Sequence, residues 1–65
     1  MNLQKFKGKL RECGVTYAEC AKLIGVSPTS FCQKMNGKSK FYIDDLDKIG
    51  DYLGLTREQK GDIFL

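Results

Sequence analysis

Apolar positions recur at three- and four-residue steps along this chain, and glycines interrupt that rhythm at regular intervals. Leu3, Phe6, Leu10 and Cys13 share one face of a first helix, predicted from about Asn2 to Glu12 and ended by Gly14. Tyr17, Cys20, Ala21 and Ile24 mark the buried stripe of a second helix. It starts at Thr16, where Thr16 and Glu19 have capping-box spacing, Val15 and Cys20 hold the staple positions, and Gly25 closes it. A third helix begins almost at once, with Ser27 as N-cap, Pro28 in the first helical position, and Val26 and Phe31 as a staple. Asn36-Gly37 ends it. The fourth spans about Ile43 to Leu53, with Ile43, Leu46, Ile49 and Leu53 on its apolar face. Asp44, Asp45 and Asp47 cluster near its positive end. Gly50 lies on the apolar side, so another helix is expected to pass close there. The fifth starts at Thr56, with Gln59 completing a second box, and ends in Ile63-Phe64-Leu65. Gly61 weakens it by about 1 kcal/mol relative to alanine. No segment alternates as a strand does. The pattern predicts an all-α fold, a compact bundle of five short helices forming one domain over residues 1–65.

The third helix is the odd one. At about 100° per residue, Phe31 and Met35 lie about 40° apart and define a thin buried edge. Opposite them are Thr29, Gln33 and Asn36, with Ser30 and Cys32 on the flanks. A helix with so little apolar surface and so many small hydrogen-bonding groups is suited to being covered by something polar.

Composition sharpens this. Net charge is only +3, but residues 1–40 carry +6 and residues 41–65 carry −3. One half suits a polyanion and the other repels it. There is no apolar run of the ~20 residues that cross a bilayer, and the cationic N-terminus lacks the apolar stretch of a signal peptide. A soluble, cytoplasmic protein, complete or nearly so, is expected. The three cysteines, Cys13, Cys20 and Cys32, form no disulfide framework, and without histidine no zinc site is expected. They are expected to act as small apolar residues. No histidine, paired acidic motif or phosphate-binding glycine loop supports enzyme chemistry, so no catalytic residue and no cofactor is assigned.

A tight Gly25-Val26-Ser27 turn between two short helices is a helix-turn-helix arrangement, with Ala21 permitting close crossing and Ile24, Val26 and Phe31 locking it. The run T-Y-A-E-C-A-K-L-I-G-V-S-P-T-S-F, continuing to N-G-K, resembles the lambda-repressor/Cro-like (XRE-type) helix-turn-helix family. That family's pattern is roughly T-Q-x-x-L-A-x-x-x-G-V-S-x-x-x-I-x-x-x-x-N-G-K. Its continuation, L-x-x-L-x-x-I-a-x-x-L-G, is matched by Ile43, Leu46, Ile49, Gly50, Leu53 and Gly54. The ending T-R-E-Q-K-G-D-I-F-L is similar to short phage-encoded members, and the resemblance covers residues 3–65. Three positions depart from the pattern. Tyr17 replaces the glutamine, Cys20 the leucine, and Lys34 stands at an apolar position, with Met35 one later.

The resemblance implies double-stranded DNA binding by a transcriptional regulator, with the helix at about 28–36 in the major groove. Thr29, Ser30 and Gln33 are the expected base readers, and glutamine can bond adenine N6 and N7 together. Tyr17, Lys34, Asn36, Lys38, Ser39 and Lys40 are the expected phosphate contacts, while Lys5, Lys7 and Lys9 belong to the first helix's surface. Pro28 has no donor, so readout rests on two or three residues plus DNA shape. Phe64 and Leu65 are candidate contacts of a homodimer on a pseudo-palindromic operator. The competing expectation is an antirepressor-like protein-interaction module on the same scaffold.

Overall fold

The computed structural model describes residues 1–65 and is built wholly from helices: α1 Leu3–Cys13, α2 Tyr17–Ile24, α3 Pro28–Met35, α4 Ile43–Tyr52 and α5 Arg57–Phe64. Their starts follow from side-chain oxygens that accept the free backbone N–H groups of a first turn. Asn2 caps Lys5 at 3.0 Å, Thr16 caps Glu19 at 3.1 Å, and Ser27 caps Ser30 at 3.1 Å. Thr56 and Gln59 form a complete capping box, each bonding the other's N–H at 3.1 and 2.9 Å. The box expected at Thr16 is only half closed, because Glu19 is exposed and returns no bond. At α4 the N-cap is Tyr42, whose side chain makes no cap bond, and Asp44 and Asp45 sit in the positive first turn instead.

The first four helices end in one way. Gly14, Gly25, Gly37 and Gly54 turn left-handed, and the next residue's N–H reaches back to the carbonyl five positions earlier. The pairs are Val15 to Leu10, Val26 to Ala21, Lys38 to Gln33 and Leu55 to Gly50, each at 2.9 Å. Such endings normally bring an apolar pair together. The third brings Lys38 beside Gln33 instead.

The core contains Phe6, Leu10, Cys20, Ala21, Phe31, Met35, Leu46, Ile49, Leu55, Ile63 and Phe64. An aromatic chain threads it edge to face: Tyr17 to Phe31 at 5.4 Å, Phe31 to Phe41 at 5.6 Å, Phe41 to Phe6 at 5.9 Å, and Phe6 to Phe64 at 5.1 Å. It links α2, α3, the segment before α4, α1 and α5. The ends are laced as well, since Asn2 N–H donates to the Ile63 carbonyl at 2.8 Å and Lys5 pairs with Asp62 at 2.9 Å.

Gly50 is buried under the passing α5, as its position implied. A Cβ placed there would lie 2.8 Å from Lys60 Cε. The Lys60 ammonium bonds Asp51 and also reaches Asp47, and the Asp51 hydrogen bond first, then both carboxylate charges, hold its pKa above the usual lysine range.

Several expectations need correction. Cys13 is exposed at the last turn of α1 rather than on its buried face, and Cys32 is exposed as well, so only Cys20 behaves as a core thiol. Ile43 begins α4 and is 72% exposed, because the first turn overhangs the core. Phe64, a candidate dimer contact, meets Phe6 edge to face inside the molecule, whereas Leu65 is 91% exposed.

Candidate nucleic-acid interface

Gly25 places α3 against α2. Its φ of 76° permits the sharp turn, and its N–H and that of Val26 close the end of α2 on Lys22 and Ala21. Ala21 is buried where the two helices meet. Phe31 and Met35 anchor α3 at 0% and 1% exposure, which fixes its rotation with that one edge buried. Val26 and Ile24 pack partly buried beside them. Everything opposite that edge faces out.

Pro28, Thr29, Cys32, Gln33 and Asn36 are exposed. Thr29 and Gln33 make no side-chain hydrogen bond within the chain, so both keep their full donor and acceptor capacity. Ser30 is different. It is half-buried, and its hydroxyl accepts a bond from the Ser27 hydroxyl at 3.0 Å. The base reader expected at Ser30 is thus drawn into the helix cap, although its own hydrogen remains free to donate. Asn36 spends one amide hydrogen on a long 3.8 Å contact to Cys32 Sγ.

Beyond α3, Gly37 at φ 80° turns the chain so that Lys38, Ser39 and Lys40 follow as an exposed run. Lys38 and Lys40 have no acidic partner within the chain. The bond from Lys38 N–H to the Gln33 carbonyl starts this cationic run at the C-terminal end of α3.

Lys34 does not join that run. Its ammonium donates to the Lys40 carbonyl at 2.8 Å and lies 5.8 Å from the Phe41 ring centre and 5.5 Å from that of Tyr42. In the free chain this ammonium, an expected phosphate contact, ties α3 to the segment that follows it. Tyr17 is also partly turned inward: its ring edge meets Phe31, while its hydroxyl is unbonded at the start of α2. Phe41 and Tyr42 are residues the periodicity did not single out. The signal was the aromatic pair immediately after Lys38-Ser39-Lys40.

The arrangement is an exposed ridge of neutral hydrogen-bonding groups with lysines at one end. It can be covered by an edge carrying donors and acceptors and flanked by anions. No helix is long and apolar enough to cross a membrane. Compared with family models, curated proteins and solved structures, the chain matches none.

Proposed function

We propose that this chain is a helix-turn-helix protein that binds double-stranded DNA sequence-specifically, acting as a phage or mobile-element transcriptional regulator of Cro/repressor type. The observation that carries the reading is the outward face of α3. Thr29 and Gln33 are exposed and unpartnered, and Lys38, whose N–H bonds the Gln33 carbonyl, follows at the end of the helix. In this reading α3 lies in the major groove, Gln33 bonds an adenine edge, and the Thr29 methyl or hydroxyl meets a neighbouring base. Lys38, Ser39, Lys40, the Asn36 amide and the Tyr17 hydroxyl take phosphates. A second copy completes the pseudo-palindrome, pairing through Leu65, Ile43 and Met1, which are exposed at 91%, 72% and 47%.

The test is a titration of duplex DNA at several salt concentrations. Affinity falls log-linearly with salt in proportion to the phosphates neutralised. Gln33→Ala relaxes preference at one base position by about 1–3 kcal/mol, while Lys38→Ala weakens all sequences alike and reduces the salt slope by about 1. Unchanged sequence preference in Gln33→Ala removes the assigned reading face. Tight binding of a protein partner at high salt, with no DNA binding at any salt, assigns the chain to the interaction-module class instead.

A further inference from the structure

The position of Lys34 points to a role that its charge alone does not suggest. Residues 36–42 join α3 to α4 without helical structure, and they carry Lys38, Ser39 and Lys40. Two restraints act near Lys34. Lys38 N–H bonds the Gln33 carbonyl at 2.9 Å, and Phe41 is wedged between Phe31 and Phe6. Between those fixed points, the Lys34 ammonium holds the Lys40 carbonyl at 2.8 Å. It also stands within cation–π range of the half-buried Phe41 and the exposed Tyr42. One side chain on the recognition helix thus gathers a carbonyl and two rings from the far side of the turn.

We propose that Lys34 is a positioning residue, which pre-sets the exposed turn at Lys38, Ser39 and Lys40 in its phosphate-facing shape before any DNA arrives. This deepens the DNA reading above and rests on it. A turn already ordered loses less freedom on binding, so affinity for any duplex rises without a new contact to DNA. The ammonium acts here through its donor and its charge over the rings. A guanidinium supplies both, and an apolar side chain of similar length supplies neither.

The experiment has two arms, with Lys34→Met and Lys34→Arg compared to the unaltered chain. In the DNA-free protein, backbone 15N order parameters are measured over residues 38–41. They fall from the rigid range near 0.85 to below about 0.6 in Lys34→Met, and Lys34→Arg restores them, while helical circular dichroism is the same in all three. In the DNA arm, Lys34→Met loses roughly two- to tenfold in affinity, equally on an operator and on an unrelated duplex. Order parameters unchanged in Lys34→Met overturn the proposal, even if affinity drops, because Lys34 then touches phosphate itself. Loosening of the turn with full retention of affinity overturns it too. Failure of the unaltered chain to bind any duplex sinks the DNA reading, and the free-protein arm then reports separately that the restraint exists.

Discussion

Gln33 and Lys34 are neighbours in sequence with opposite fates. Angular spacing alone set Gln33 outward, because Phe31 and Met35 leave only one side of α3 to bury. The fate of Lys34 depends on Phe41 and Tyr42, which arrive beside it only after the Gly37 turn, so no property of α3 revealed it. The cysteines divide in the same way. Burial first, then the nearby Glu19 charge, pushes the Cys20 thiol up to about 11. The folded state therefore favours its protonated form. That contribution to stability is whole below the unfolded thiol's value of 9.0 and is lost as pH rises towards 11. With a maleimide reagent at neutral pH, two thiols of the native chain react, Cys13 and Cys32, and Cys20 reacts only on unfolding. Mass spectrometry after timed labelling checks this. Bound duplex protects Cys32, on the outward flank of α3, and leaves Cys13 open; equal protection of both removes the assigned face.

At the level of elements, caps and glycines made the helices legible. Asn2, Thr16, Ser27 and Thr56 start four of them, and the predicted boundaries fall within about two residues of the observed ones, as cap chemistry allows. What periodicity missed lies at the overhanging ends, where a helical face continues past the core. Cys13 and Ile43 have the right spacing but lie exposed. Two substitutions separate a glycine needed for shape from one that only weakens a helix. Gly25 sits at φ 76°, so Gly25→Ala costs about 1–2 kcal/mol and loosens the α2–α3 turn. Gly8 lies mid-helix with open space around it, so Gly8→Ala gains about 0.5–1 kcal/mol. Urea unfolding of both variants measures the difference. A stabilised Gly25→Ala contradicts the turn geometry.

The whole molecule measures 28 × 21 × 20 Å, and the aromatic chain from Tyr17 to Phe64 joins α1, α2, α3 and α5. Charge asymmetry was visible in the sequence, but the link through Phe41 was not, since it joins segments far apart along the chain. The exposed surface around Leu65 and Ile43 was half visible: the apolar tail stood out, yet Phe64 turned inward and Ile43 took its place outside. A standard interface takes about 800 Å² from each partner, a large share of the 4377 Å² this chain exposes. The proposed dimer is expected to be weak and concentration-dependent. Sedimentation from low to high micromolar concentration should show a mass rising from 7.4 kDa towards twice that value. Leu65→Asp or Ile43→Asp should hold the monomer with helicity intact. A mass that never rises, with or without DNA, removes the paired arrangement.

Whether bases occupy the bare side of α3, as proposed, is decided by selecting bound sites from random duplexes. The expected result is enrichment of a short, two-fold-related motif that loses definition at one position per half-site in Gln33→Ala. Recovery of random sequence at low salt, or a motif indifferent to both Thr29 and Gln33, contradicts it.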